Sequence, residues 1–431
     1  MSRILLRNGE IVTTAGVSKA DVLVENGKIV DVGDVDGKGA EAVDCSGKVI
    51  LPGLIDAHVH FREPGQEYKE DFESGSMAAA SGGVTTVFDM PNNKPPILSL
   101  EAFEKKRKLV LGRSYVNYAF YMGCDGKNFD EVNKVKGECG VKVYGSDVDN
   151  LEEVFDGVDK GKLLVFHAED KKCLEENEKA YLVEFEGREV DPAVHSKIHS
   201  VECALKAVER ICKLAKEKGR AVHLCHVSTE AEFEEISKCR DVGVTGETAP
   251  QYLTLSSDDY GHLGNLIKMN PAVRDRMEVF GVWKCLKSGL VDMVATDHAP
   301  HLKQEKESKY LEAPSGVPGV EFLLPMFLNT VNNDGMTLQE VVLYCCERPA
   351  QVFGLKNKGR IEKGYDADLV VVDMEKEKEI LDKNVVSKCG WSPYSGSVFK
   401  GWPVMTYVNG GLVYKNGKFV GGKYGKEVEF S

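Results

Sequence analysis

Two histidines separated by one residue, His58 and His60, are the first residues in this 431-residue sequence whose spacing suggests chemistry. On a β-strand, residues i and i+2 point to the same face, so both imidazoles can reach one cation. Three further candidates each end an apolar run: His167, His226 and Asp297. Histidine nitrogens and carboxylate oxygens are zinc ligands, and the repeated pattern favours a metal site over isolated core histidines.

Lys142 and Arg62 are charged residues with two interpretations each. Lys142 lies between valines, which fits either an exposed edge position or carbamylation by carbon dioxide to a carboxylate-like group that bridges two cations. Arg62 follows His60 by two residues and can share its strand face, where it would bind a substrate carboxylate. The alternative is a surface ion pair with Glu63 or Glu67.

Other polar residues also leave alternatives open. Asn92 and Asn270 fit either turns or hydrogen-bond donors to a ligand. His298 and His301 follow the aspartate of TDHAPH, so one is expected to contact substrate and the other to support a metal ligand. Strand alternation in AVHLCH predicts that Cys225, like His223, faces away from the histidine that ends the run and lies in the core.

The middle of the chain, residues 51–355, alternates β-branched runs with helical patterns such as SVECALKAVERICKLAKEK. The candidate strands are GLIDAHVHF, GVTTVFDM, NYAFYMG, GVKVYG, LLVFHAE, AVHLCHVS, VTGETAP and DMVATDH. This succession predicts an α/β fold, a (β/α)8 barrel of the TIM type with its chemistry at the carboxyl ends of the strands. An open doubly wound sheet is the alternative, but no glycine-rich phosphate loop follows the first strand.

Both ends of the chain are rich in strands. ILLRNGEIV and DVLVENGKIVDVG each predict strand, Asn-Gly turn and strand, and MTYVNGGLVYKNGKFV predicts a pair of hairpins. We expect one small β-sandwich domain from residues 1–50 plus 356–431, with two separate appendages as the alternative. The charged segment 301–316 fits a solvated loop or a lid over the site.

Composition excludes several classes of function. The net charge of -13 and pI near 5.4 argue against nucleic-acid and anionic-membrane partners. The sequence shows no apolar stretch long enough for a signal peptide or a membrane helix. The twelve cysteines are scattered without a CxxC motif, which predicts mostly buried thiols and a cytoplasmic location.

Three segments, GLIDAHVHFREPGQEYKEDF, AAASGGVTTVFDMPNNKPP and ATDHAPH, resemble the dihydroorotases of the amidohydrolase superfamily, and the likeness runs through most of the chain. HxH and the TDHAPH-like strand end mark the wider cyclic amidohydrolases, whereas FREPG and MPNN are narrower. Allantoinases and hydantoinases generally lack an arginine at the position of Arg62. The resemblance therefore implies a dihydroorotase of pyrimidine biosynthesis. The alternatives are another cyclic amidohydrolase (dihydropyrimidinase, hydantoinase or allantoinase) and a non-catalytic scaffold relative.

The resemblance also implies two zinc ions bridged by a carboxylated lysine. The implied metal ligands are His58, His60, Lys142, His167, His226 and Asp297. The implied substrate-binding residues are Arg62, Asn92, Asn270 and His301. Some members of the family carry an aspartate at the bridging position, and Asp147 and Asp149 lie near the lysine here.

The implied reaction is the reversible cyclisation of N-carbamoyl-L-aspartate to (S)-dihydroorotate. In the hydrolytic direction a zinc-activated hydroxide attacks the ring carbonyl, and Asp297 carries the proton to the leaving ring nitrogen. A homo-oligomer, or an association with aspartate carbamoyltransferase, follows from analogy only.

Overall fold

The computed structural model describes residues 3–144 and 150–431. Its strands are β1 (Arg3–Arg7), β2 (Glu10–Thr13), β3 (Gly16–Lys19), β4 (Asp21–Glu25), β5 (Lys28–Gly33), β6 (Glu41–Asp44), β7 (Val49–Pro52), β8 (Leu54–Val59), β9 (Val84–Asp89), β10 (Asn117–Cys124), β11 (Gly140–Tyr144), β12 (Leu164–His167), β13 (Val222–Leu224), β14 (Val244–Thr248), β15 (Met293–Val294), β16 (Leu369–Glu379), β17 (Val398–Val408), β18 (Gly411–Lys415) and β19 (Lys418–Phe419). Its helices are α1 (Phe72–Ser81), α2 (Leu100–Val110), α3 (Phe129–Lys134), α4 (Leu151–Gly157), α5 (Lys171–Leu182), α6 (His195–Ile198), α7 (Val201–Lys218), α8 (Glu230–Ser237), α9 (Pro250–Thr254), α10 (Tyr260–Leu263), α11 (Arg276–Ser288), α12 (Lys303–Lys306), α13 (Leu323–Asn332), α14 (Leu338–Val342) and α15 (Arg348–Val352).

Strands β8 to β15 form one parallel sheet in chain order, which confirms the predicted barrel. Each candidate strand of the sequence overlaps one of them. The sheet closes between its first and last strands, because Val59 pairs with His298 and the Asp56 carboxylate accepts a 2.9 Å hydrogen bond from the Thr296 backbone N–H. The carboxyl ends of the strands therefore surround one opening.

The two ends of the chain build one β-sandwich, as predicted. Its sheets have the orders β5–β4–β1–β6 and β19–β18–β17–β16–β7–β2–β3, so the second takes strands from both termini. Leu6 and Ile29 of the first sheet share a buried core with Ile50 and Val371 of the second. Strands β4 and β5 form a hairpin, but β1 and β2 lie in different sheets, so the Asn-Gly turn of ILLRNGEIV carries the chain between them. The limits of the two domains stay a prediction.

Helix α7 shows how the local sequence fixes the barrel's outer layer. The Ser200 side chain accepts from the Cys203 backbone N–H at its start, and Gly219 ends it in a left-handed conformation with φ +58°. Ala204, Val208 and other residues at helical spacing form its buried face. Within the described residues, no helix combines the length and apolar character needed to cross a bilayer.

The cysteines are mostly buried thiols, with one exception. A disulfide joins Cys173 of α5 to Cys203 of α7, while the ten other cysteines are free and buried. Thirty residues separate the two sulfur-bearing positions, and no sequence motif marks them as a pair.

Candidate metal centre at the mouth of the barrel

Three predicted metal ligands meet at the carboxyl end of the barrel. His58 lies in β8 and His60 just beyond it, while Asp297 follows β15, which neighbours β8 in the closed barrel. The Nε2 atoms of His58 and His60 lie 3.1 and 3.0 Å from the same Oδ1 atom of Asp297. The structure thus gathers two imidazoles and one carboxylate around a single point.

The other nitrogen of each ring is held by an oxygen acceptor. His58 Nδ1 donates to Glu247 Oε1 and His60 Nδ1 donates to Asn92 Oδ1, each at 2.6 Å. With the protons on Nδ1, the lone pairs of Nε2 face Asp297, which is how imidazole binds a cation. Burial lowers the pKa of His60 to about 4, so its ring is neutral at pH 7. Burial opposes the charging of His58 as well, but Asp297 and Glu247 raise its pKa well above the ordinary value, so this point attracts positive charge.

His167 and His226 form a second pair of facing imidazoles. His167 Nδ1 and His226 Nε2 are 2.9 Å apart, and His167 Nε2 lies 3.0 Å from the Glu169 carboxylate. The other oxygen of Glu169 lies 2.9 Å from His199 Nδ1. Because a carboxylate only accepts, His167 donates from Nε2 and turns the lone pair of Nδ1 toward His226. Burial, reinforced by His167, lowers the pKa of His226 well below its ordinary value, so this ring too is neutral.

Lys142 lies inside the barrel, so the exposed-edge interpretation is wrong. Its residue is 1% exposed, and its Nζ donates to Cys225 Sγ at 2.9 Å. Across residues 3–144 and 150–431, no carboxylate forms an ion pair with this amine. A buried ammonium whose partner is a thiol is costly, which marks Lys142 as unusual. Asp147 and Asp149, the alternative bridging residues, lie outside the described residues.

The prediction that Cys225 faces away from the site is wrong. Its Sγ reaches Lys142 and lies within 4.8 Å of ligand atoms of His58 and Glu247. The alternation argument fails because β13 ends at Leu224, and His226 already has a left-handed backbone with φ +40°. His223, inside the strand, is fully buried, and its Nε2 lies 3.2 Å from Glu247 Oε2.

Arg62 lies in a buried cationic corner beside the histidines. Its Nε donates to the Pro300 carbonyl at 3.1 Å, and its Nη2 lies 3.0 Å from His301 Nε2. The surface ion pair is ruled out, because Glu63 pairs with Arg113 and no carboxylate of the described residues pairs with Arg62. Arg62 has φ +63°, a conformation that costs a non-glycine residue about 1–2 kcal/mol and recurs at functional sites. Asp297 shares this feature, with φ +50°.

The remaining predicted residues support the site in different ways. The Asn92 side chain orients His60, and Asn92 is otherwise exposed at the mouth of the barrel. Asn270 is half-buried and its Oδ1 lies 3.0 Å from His195 Nε2, so it is held in place rather than free in a turn. His298 is fully buried and its Nδ1 accepts from the Gly319 N–H at 3.0 Å, so it supports the loop rather than contacting a ligand.

Two glutamates of the site went unnoticed in the sequence. Glu247 and Glu169 are fully buried, and they hold His58 and His167. A signal was present, because Glu169 follows His167 by two residues and Glu247 is a charged residue within the candidate strand VTGETAP. Buried carboxylates on histidine ligands are typical partners of metal centres.

The donor set suits a divalent metal ion. Ligand atoms of His58, His226 and Asp297 lie within 4.8 Å of one another, and all three residues are buried. Imidazoles that buried carboxylates orient, together with the Asp297 carboxylate, fit zinc and its neighbours better than calcium or magnesium, which prefer oxygen ligands.

Comparisons with known proteins agree with this architecture. A model described as the amidohydrolase family matches residues 49–413. A dihydroorotase of Methanosarcina acetivorans is 35% identical over 92% of this chain and 89% of its own length. A dihydroorotase of Methanothermobacter thermautotrophicus is 34% identical over 93% and 92%. Among solved structures, an L-hydantoinase (dihydropyrimidinase) from Arthrobacter aurescens has a TM-score of 0.93 at 30% identity, and both chains are covered completely.

Proposed function

This chain belongs to the amidohydrolase family, and we propose that it is an enzyme that opens and closes the cyclic amide ring of (S)-dihydroorotate. Ring closure of N-carbamoyl-L-aspartate is the biosynthetic direction. One observation carries the choice of substrate: Arg62 is buried beside the metal centre without a carboxylate partner among the described residues. A ring that bears a carboxylate would provide that partner, whereas the uncharged rings of hydantoin or dihydrouracil would not.

The proposed cofactor is a pair of zinc ions. His58, His60 and Asp297 would hold the first, and His167 and His226 would hold the second. A carboxylated Lys142 would bridge them, and this change would replace a buried cation by an anion among imidazoles. The chemistry expected of bound zinc is to lower the pKa of water and to polarise the carbonyl under attack.

Asp297 is proposed to move the proton. Burial alone would raise its pKa, but His58 and His60 lower it well below the ordinary value, so its carboxylate is ionised. Hydrolysis adds water across the ring C–N bond, which requires one proton to travel from the water to the leaving nitrogen. Asp297 Oδ1, which lies 3.1 and 3.0 Å from the Nε2 atoms of His58 and His60, is placed to accept that proton and deliver it.

Arg62, Asn92, Asn270 and His301 are proposed to orient the substrate. Arg62 and His301 lie together on one side of the site and would hold the carboxylate. The overall charge of -13 does not oppose an anionic substrate, because Arg62, Lys69 and Lys306 act together on this corner of the site. A fixed carboxylate also limits the poses of so small a ring.

The test is hydrolysis of dihydroorotate by the purified protein, measured before chelation, after chelation and after return of zinc. We expect activity that disappears and returns. Zinc-loaded protein without activity on dihydroorotate would favour a dihydropyrimidinase or hydantoinase, as the solved structures with the same fold are named. Protein that neither binds zinc nor turns over any cyclic amide would favour a scaffold role. A cytoplasmic location remains part of the proposal.

A further inference from the structure

Lys69, in the segment that follows FREPG, is a buried lysine directed at the cationic corner. Its side chain is 6% exposed, and its Nζ lies 2.9 Å from His301 Nδ1 and 3.0 Å from Glu305 Oε1. His301 in turn lies 3.0 Å from Arg62 Nη2. Lys69 therefore touches the imidazole that is proposed to bind substrate, on the side away from Arg62.

The contacts of His301 determine where its proton lies. The Lys69 ammonium has no lone pair, so Nδ1 must accept from it. The carbonyl of Ser315, 3.0 Å from Nε2, has no proton, so it can only accept from that nitrogen. Both contacts are satisfied only if the proton lies on Nε2.

His301 carries one ring proton, not two. Burial lowers its pKa far below the ordinary value, and the positive charges of Arg62, Lys69 and Lys306 add to the effect. A neutral ring has one donor and one acceptor, so the partner of Nδ1 decides the role of Nε2.

We propose that Lys69 is a positioning residue that holds His301 in the tautomer with its proton on Nε2, so that a substrate carboxylate can share this N–H with the Ser315 carbonyl while it also accepts from Arg62. The inference rests on the proposed function. Arg62 Nη2 lies 3.0 Å from this ring nitrogen, and a carboxylate that accepts from both groups would offset the repulsion between them.

Loss of Lys69 should reverse the tautomer. Glu305 Oε2 lies 3.9 Å from His301 Nδ1 and would become the nearest partner of that nitrogen. A carboxylate accepts, so the proton would move to Nδ1 and Nε2 would accept from Arg62 instead. The site would keep its shape but lose one donor for the carboxylate.

The first test reads the tautomer directly. The protein is labelled with nitrogen-15 histidine and loaded with zinc, and the His301 signals are assigned by their absence in His301→Asn. We expect these signals to show an unprotonated Nδ1 and a protonated Nε2. In Lys69→Met the two should exchange. A proton on Nδ1 in the wild-type protein would overturn the proposal, whether or not the variant folds.

The second test is kinetic. Lys69→Met should raise KM for dihydroorotate by about tenfold to a hundredfold, the range for one hydrogen bond to a charged group, with a much smaller change in kcat. Lys69→Arg, which keeps a cationic donor, should recover part of the loss. Lys105→Met is the matched control, because Lys105 lies on α2 with its side chain 74% exposed. An unchanged KM in Lys69→Met would overturn the proposal. A wild-type protein that is inactive on dihydroorotate would instead refute the proposed function. The tautomer measurement would then decide the role of Lys69.

Discussion

Replacing Glu247 with glutamine should weaken zinc binding, because this buried carboxylate orients a metal ligand. Its Oε1 accepts from His58 Nδ1 at 2.6 Å, and its Oε2 lies 3.2 Å from His223 Nε2. Burial alone would raise the pKa of Glu247, but His58 and His223 lower it well below the ordinary value, so it is ionised. The substitution keeps the size of the side chain and removes its charge.

Glutamine fits because His223 has a second partner. His223 Nδ1 lies 2.9 Å from Thr245 Oγ1, and a hydroxyl can donate or accept. His223 can therefore move its proton to Nδ1 and accept from the new amide at Nε2. The amide oxygen then keeps the hydrogen bond to His58. The variant loses only the extra strength that the negative charge of the carboxylate gives to this hydrogen bond.

Two general values, one for hydrogen bonds to charged groups and one for residues that orient metal ligands, give the same expected loss of zinc affinity. A hydrogen bond to a charged group contributes about 1.5–3 kcal/mol, which is about tenfold to a hundredfold in an equilibrium constant. Removal of a partner that orients a metal ligand costs about 10–100-fold in affinity or activity. We therefore expect the zinc Kd of Glu247→Gln to rise by about tenfold to a hundredfold.

The assay is a competition for zinc against a chromophoric chelator. Glu234→Gln is the matched control, because this glutamate is exposed on α8, just before β14. Circular dichroism and thermal unfolding of the zinc-free proteins establish that both variants fold. An unchanged zinc Kd in Glu247→Gln, or an equal loss in the control, would refute the role of this carboxylate.

Three further predictions address substrate, bridge and stability. Arg62→Met is expected to lower kcat/KM for dihydroorotate by about tenfold to a hundredfold and to spare dihydrouracil; equal losses would contradict its contact with a carboxylate. Lys142→Ala is expected to abolish turnover and to regain part of it in added formate or acetate, and failure of small carboxylic acids to help would argue against a carboxylated lysine. Glu321, whose pKa burial raises from 4.5 to about 7, keeps a proton in the folded chain where the unfolded chain has lost it. Stability should therefore fall as pH rises between these values, by up to about 1.4 kcal/mol per pH unit, and urea unfolding of Glu321→Gln should lack this slope.

The barrel was accessible from the sequence because each strand carries its own signal. Most candidate runs combine β-branched residues with a polar residue near the end, NYAFYMG being an aromatic-rich exception, and the structure places a strand in each. The pair His58 and His60, at the end of β8, shows why part of the site could also be predicted. Strand periodicity alone brings His58 and His60 to one side, and the order of the strands brings Asp297 next to them.

The supporting residues were harder to find because their partners are distant in sequence. Glu247 lies 189 residues from His58, and nothing local shows which ring it holds. Cys225 was misplaced because periodicity stops where the strand stops, and the backbone after Leu224 does not alternate. Such contacts depend on the closed barrel rather than on any local pattern.

The segment 301–316 shows the limit of reasoning from composition. Its charged residues suggested a solvated loop, yet Lys306 is fully buried and its Nζ donates to the carbonyls of Lys268 and Pro314 at 2.7 and 2.8 Å. Carbonyl oxygens can satisfy a buried lysine amine without any carboxylate, and the sequence does not reveal where they converge. Whether this segment moves on substrate binding stays a prediction.

The most direct test of the account compares substrates on the zinc-loaded protein. The sequence relatives are named dihydroorotase and the solved structures with this fold are named hydantoinase, and a carboxylate on the ring separates the compounds that these names denote. We expect kcat/KM for dihydroorotate to exceed that for dihydrouracil and hydantoin by about a hundredfold or more, since a buried arginine left unpaired penalises the neutral rings. Turnover of hydantoin or dihydrouracil as fast as, or faster than, dihydroorotate would contradict the account.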